Sequence, residues 1–233
     1  MSQVNLKDVQ EKLYDKLKQT GWDKVLRTFV LSSEFYGILE KLWMESEDGK
    51  KFTPIIKDLF RAFEECPYDT LKVVLVGQDP YPKLGVADGI AFSCSKSDIQ
   101  PSLRYIYTGI AHEGIQCDNQ PDLKHWSNQG VLMLNTALTT QINKIGTHVE
   151  LWKPFTSYLL NTLSAYNTGI VYIFMGKKAA EFSYLVDEDM NHKLYCSHPA
   201  SAAYSHQKYW DSNNIFGRTN DILQNMYNEQ IKW

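Results

Sequence analysis

The run Leu71-Lys72-Val73-Val74-Leu75-Val76 and the string after it, Gly77-Gln78-Asp79-Pro80-Tyr81-Pro82, decide how this chain folds. The first six residues are nearly all apolar and rich in β-branched side chains. They lack the polar alternation of a half-exposed strand, so they suit a strand buried on both faces. Three more runs share this texture: VLML at 131–134, IVYIFM at 170–175 and LYC at 194–196. Helical patterns separate them. One begins near Pro101-Ser102, one covers residues 151–166, one follows Gly176 through residues 177–186, and a last one holds Ile222, Leu223, Met226 and Tyr227. Strand–helix alternation predicts an α/β fold with a central four-stranded parallel sheet and helices on both faces.

Upstream of the sheet the chain reads as a helical N-terminal segment. Phe35, Ile38, Leu39, Leu42 and Trp43 repeat at the spacing of an amphipathic helix, with Ser32 or Ser33 as its cap. Pro54 is expected to open another helix that puts Ile55, Ile56, Leu59, Phe60 and Phe63 on one face and ends near Cys66-Pro67. No repeat or linker divides the chain, so residues 1–233 are expected to form a single domain.

Composition narrows the function classes. The chain is 43% hydrophobic and 22% charged, as a folded globular protein is. Its net charge of −3 argues against wholesale electrostatic adhesion to nucleic acid, so any phosphate must be met by local geometry. No apolar run approaches the roughly 20 residues of a membrane helix, and the polar N-terminus lacks a signal-peptide core. An intracellular protein with no membrane partner is expected. Its place would be the cytoplasm of a prokaryotic host, or the nucleus or a viral factory in a eukaryotic one. The four cysteines, Cys66, Cys94, Cys117 and Cys196, have no metal spacing and read as plain thiols.

In parallel α/β sheets, ligands bind beyond the carboxyl ends of the strands. Here those ends carry Gly77-Gln78-Asp79-Pro80-Tyr81, Asn135-Thr136, Gly176-Lys177 and Ser197-His198-Pro199. One edge thus collects an acid, two amides, a phenol and an imidazole. The dinucleotide, phosphate-loop, nucleophile-elbow and zinc-protease signatures are absent, so no metal and no cofactor is expected.

These motifs, in this order, resemble those of uracil-DNA glycosylases of the type without an iron–sulfur cluster. Gly77-Gln78-Asp79-Pro80-Tyr81 is similar to the family's water-activating loop. Residues 89–93 (GIAFS) are similar to the segment with its base-stacking Phe, Gln100-Pro101-Ser102-Leu103 to its Pro-rich DNA loop, and residues 130–136 (GVLMLNT) to its uracil-reading strand end. Trp152, Phe155 and Thr156 match its next helix, and Ser197-His198-Pro199 the start of its leucine loop.

The chemistry agrees residue by residue. Cleaving a base from deoxyribose develops positive charge on the sugar and negative charge on the leaving base, as in glycoside hydrolysis. Asp79 is the candidate carboxylate to stabilise the sugar cation and orient water, against the plainer reading of an Asp in a turn. His198 is the candidate donor to the base oxyanion, by family analogy as neutral imidazole, against that of a satisfied turn residue. Asn135 carries the donor and acceptor that separate uracil from cytosine, or else merely ends a strand. Phe92 would stack on the flipped base or pack in the core. Tyr81 would exclude the thymine methyl, and Gln78 would add hydrogen bonds. Pro101, Ser102, Gly176 and Lys177 are expected at the DNA, although Lys177 and Lys178 suit a solvated helix start equally well.

The chain also departs from the pattern. Pro82 stands where the family usually has His, a change shared with poxvirus members. After His198 the family typically continues Pro-Ser-Pro-Leu-Ser, its Leu wedging into the duplex, whereas this chain reads Pro199-Ala200-Ser201-Ala202-Ala203-Tyr204. Ala200 lacks a phosphate-binding hydroxyl, Ser201 follows it, and Ala202 takes the place of the wedge. Either single-stranded DNA is the better substrate, or Tyr204 or a neighbour supplies the wedge.

The expected function is therefore hydrolysis of the N-glycosidic bond of uracil in DNA by a monomer, with uracil-containing DNA, preferably single-stranded, as partner. A replication protein or a DNA-mimic inhibitor would be a further partner. The alternative is a DNA-binding or polymerase-accessory module on the same fold with weak or no excision. A relative acting on mismatched or modified bases is disfavoured by Tyr81 and Asn135.

Overall fold

The computed structural model describes residues 5–205 and 207–233. Three helices open it: α1 (Leu6–Gln19), α2 (Asp23–Val30) and α3 (Ser33–Glu47). Asn5 caps the first through its side chain on Lys7 N, and Ser32 caps the third by accepting from Phe35 N at 3.2 Å. A short strand β1 (Phe52–Thr53) follows.

The helix expected from Pro54 is broken. A 3-10 turn (Ile56–Asp58) precedes a short α4 (Arg61–Glu65), with Phe60 between them at φ −107°. Gly89 presses on the Asp58 carbonyl, where even a Cβ would stand 1.8 Å from the oxygen, so backbone from elsewhere fills the space beside that turn. Phe60 and Phe63 still reach the core. Phe60 stacks between Phe35 and Phe155, its ring centroids 5.9 Å from each.

Next come β2 (Val73–Gly77), α5 (Pro101–His112), α6 (Lys124–Ser127), β3 (Val131–Asn135), β4 (Thr140–Gln141), α7 (Val149–Tyr166), β5 (Val171–Met175), α8 (Lys177–Ala180), β6 (His192–Cys196), α9 (Ala200–Tyr204) and α10 (Ile215–Tyr227). The helix expected over 177–186 is only α8 plus a 3-10 turn (Ser183–Leu185). The antiparallel pair β1–β4 had no counterpart in the sequence reading.

The main sheet is parallel, in the order β3-β2-β5-β6. Every residue of β2, β3 and β5 is buried, as their apolar runs require. The register pairs Gly77 with Asn135 and Met175 with Cys196. The residues that follow the four strands therefore emerge along one edge. Among the described residues no helix is long and apolar enough to cross a membrane.

Candidate active site

A cavity of about 410 Å³ opens at that edge. Gln78, Asp79, Tyr81, Phe92, Asn135 and His198 all line it, as do Ser102, Ala200, Ser201 and Tyr204. The motifs read along the sequence thus converge on one hollow of a size suited to a small planar ligand.

Gly77 sets the floor. A Cβ there would stand 2.6 Å from Asn135 Oδ1 and 3.0 Å from the Phe92 ring, so only glycine lets both side chains lie against the strand end. Asn135 is buried, and among the described residues its amide has no hydrogen-bond partner in the protein, which leaves it for a ligand. The two loops are laced together by Ala137 N donating to Gln78 O at 3.0 Å and by the Thr136 hydroxyl donating to the same oxygen at 2.7 Å.

Phe92 adopts φ +63°, a left-handed backbone unusual for an aromatic residue. Its loop is held from three sides. Ala91 N donates to Met133 O at 3.0 Å, and the Tyr81 hydroxyl donates to Phe92 O at 3.0 Å. The buried Asp88 carboxylate accepts from Ile90 N, the Ser93 hydroxyl and Ser95 N. Arg61 pairs with Asp88 at 2.8 Å and with Asp122 at 2.7 Å. Sequence reasoning missed Asp88, Arg61 and Asp122, because their partnership spans distant segments. The only hint was a lone charge beside Gly89.

Asp79 Oδ2 accepts from Gly146 N at 2.6 Å. Burial pushes its carboxyl above the ordinary range, and the Gly146 amide pulls in the opposite direction. His198 sits against Gly176, whose φ of +92° and missing side chain let the two backbones approach; a Cβ there would lie 2.8 Å from His198 Cβ. His198 Nδ1 accepts from Ala200 N at 3.2 Å, and burial holds the imidazole pKa below its ordinary value. Burial thus favours the neutral ring, and with Nδ1 accepting, the proton of that form lies on Nε2.

The segment after His198 corrects one expectation. Ala202 is fully buried and offers DNA no surface, so it cannot stand in for the wedge. Its carbonyl accepts from Gln207 N at 3.0 Å, and the Trp210 indole donates to Ser197 Oγ at 2.9 Å, drawing both ends of the segment inward. Tyr204 points the other way and is 80% exposed at the cavity rim. Pro101 opens α5 and is exposed, with Ser102 next to it at the cavity. Lys177 is exposed at the start of α8 and does not line the cavity.

Residues 63–224 match the sequence profile of the Uracil DNA glycosylase superfamily. The uracil-DNA glycosylase of Mesomycoplasma hyopneumoniae (strain 7448) is 35% identical over 202 residues, covering 85% of this chain and 90% of that protein. The uracil-DNA glycosylase of Francisella tularensis subsp. tularensis (strain WY96-3418) is 33% identical over 216 residues, covering 91% and 97%. The crystal structure of mimivirus uracil-DNA glycosylase superposes with a TM-score of 0.84 at 25% identity, covering 99% of this chain and 89% of that one. A variant of the mimivirus protein has been solved in complex with UGI. With a profile running from α4 into α10 and relatives that share one name, the chain belongs to the uracil-DNA glycosylase superfamily.

Proposed function

We propose that this chain removes uracil from DNA by hydrolysing the bond between the base and deoxyribose, with its own side chains supplying the catalytic groups. The observation that carries this reading is the convergence of His198, its Nδ1 taken by the Ala200 amide, with Asp79 and Asn135 in one cavity. The base stacks on Phe92, with Tyr81 excluding a methyl at C5 and Gln78 hydrogen bonding at the wall. The Asn135 amide accepts from N3–H of uracil and donates to O4; cytosine presents the reverse pattern. As the C1′–N1 bond breaks, its electron pair goes to uracil, and His198 Nε2–H stabilises the oxyanion at O2. Asp79 faces the cationic sugar and orients a water, whose oxygen bonds to C1′ as its proton leaves to Asp79 or solvent. Free uracil and an abasic site result. No step calls for a metal.

Finer points follow from the same reading. Residues 1–233 act as one domain and as a monomer. Ser102, the Lys177 amide and the Ser201 hydroxyl meet phosphates, Gly176 and Ala200 lie beside the DNA with their amides given to Cys196 O and His198 Nδ1, and Tyr204 takes the place that the leucine wedge leaves. Single-stranded DNA is the preferred substrate because it has no pairing partner to break. An acidic DNA-mimic protein fits the same mouth, a reading supported by the mimivirus complex with UGI. The compartment is one that holds DNA, where a replication protein would be within reach.

The test is uracil release from matched single- and double-stranded oligonucleotides, with and without EDTA. No release from either strand form ends this reading; loss in EDTA reversed by a divalent ion ends the metal-free mechanism.

A further inference from the structure

Two turns stand side by side at the Asp79 side of the cavity mouth. In the first, Val86 N donates to Lys83 O at 3.2 Å and Val86 is buried beneath, so Leu84 projects from the tip, 64% exposed, beside exposed Lys83. In the second, the Thr140 hydroxyl donates to Lys144 O at 2.7 Å and Gln141 N to Thr147 Oγ1 at 2.9 Å. Ile145 projects from this turn, 65% exposed, beside exposed Lys144. Asn143 N donates to Pro82 O at 2.9 Å and laces the two turns together. Each presents a cation followed by a bare aliphatic side chain, and neither Lys83 nor Lys144 forms an ion pair among the described residues.

From this pairing we infer a DNA-contact surface separate from the segment after His198. It grips the strand on the side of the extruded nucleotide away from Tyr204. Lys83 and Lys144 take phosphates, and Leu84 and Ile145 cover the apolar faces of sugars or of an unstacked base. The inference rests on the function proposed above. Asp79 must approach C1′ of the extruded nucleotide, and its carboxylate is held by Gly146, the neighbour of Ile145. The sugar–phosphate chain leaving that nucleotide therefore passes over these turns. In a chain of net charge −3, two unpaired cations at the mouth complement phosphate.

The test uses the intact protein and two double variants at exposed positions, Lys83→Gln with Lys144→Gln and Leu84→Ser with Ile145→Ser, after thermal melts show both folded. Binding to a duplex of about 20 base pairs carrying an abasic analogue is measured against salt. The lysine variant should lower the slope of log K against log salt by about one to two, since each phosphate contact contributes about 0.9 on duplex DNA. The aliphatic variant should weaken binding about fivefold or more with the slope unchanged. Both losses should vanish for free uracil, which carries no sugar–phosphate chain to lie over the turns. Wild-type affinity and slope in both variants would overturn the surface. So would an equal loss of affinity for free uracil, or a wild-type self-association that the variants abolish. Wild-type protein that binds DNA but releases no uracil would end the excision reading alone, with the salt slope still deciding this one. No DNA binding by the wild type would end both.

Discussion

The Gly146 amide donates to Asp79 Oδ2 across 2.6 Å, joining the turn after β2 to the loop between β4 and α7. This bond aims a carboxylate that burial disfavours. Asp79→Asn should therefore lose about two or more orders of magnitude in single-turnover excision, as removal of a positioned electrostatic group does. DNA affinity should change little. Wild-type excision by the variant would remove Asp79 from the mechanism.

Asn135 owes its place to the bare Gly77. Gly77→Ala puts a methyl into the Asn135 amide and the Phe92 ring, and should cut kcat/KM about tenfold or more while circular dichroism stays native. Asn135→Asp should instead release detectable cytosine, because a carboxylate accepts from the cytosine amine. Equal loss on both bases, with no cytosine product, would count against a base-reading role.

The burial of Ala202 and exposure of Tyr204 separate two variants that look alike in sequence. Ala202→Leu overpacks the interior and should lower stability by about 1–3 kcal/mol without speeding duplex excision. Tyr204→Ala should slow duplex excision about tenfold and leave the single-strand rate nearly constant, on the scale of burying one large side chain. Faster duplex excision by Ala202→Leu at wild-type stability would show that position 202 faces the DNA.

Burial raises the Asp79 pKa and lowers that of His198. His198 is then neutral throughout the neutral range, so the acid limb of the single-turnover profile should belong to Asp79 and lie above the ordinary carboxylate value of about 4. A limb near the ordinary imidazole value of about 6.5 that disappears in His198→Gln would contradict this. Stability carries the matching sign. A carboxyl with a raised folded-state pKa stabilises fully below its unfolded pKa and loses that contribution as pH rises through the folded value. Asp79→Asn should thus melt above wild type at neutral pH and match it near pH 3, a window that thermal melts across pH would check.

Strands β2, β3 and β5 were legible because buried parallel strands are written as unbroken apolar runs, whereas β6, expected to be buried on both faces, is an edge strand in which only Leu194 is buried and Tyr195 is exposed. The segment around Phe60 was not legible either. Its apolar spacing is helical, but the approach of Gly89 to Asp58, decided by packing from another part of the chain, breaks the helix. The same holds within the site. Arg61, Asp88 and Asp122 form one knot without a shared spacing, and the inward turn of Ala202 depends on the anchoring of Trp210 to Ser197. Residues whose role follows from their own chemistry could be read, whereas those whose role follows from a distant neighbour could not.

The sheet order has a consequence for synthesis. Strand β2 precedes every other strand of its sheet in the chain, yet it lies between β3 and β5, both of which are translated much later. At a ribosomal pace of about 5–20 residues per second, the Val-rich β2 segment waits for several seconds with both hydrogen-bonding edges open. Helix α8, which packs on β2 in the finished fold, is made later still. Conditions that slow translation between β2 and β5 should therefore divert newly made chains to aggregates before any activity forms, even where the finished protein is stable.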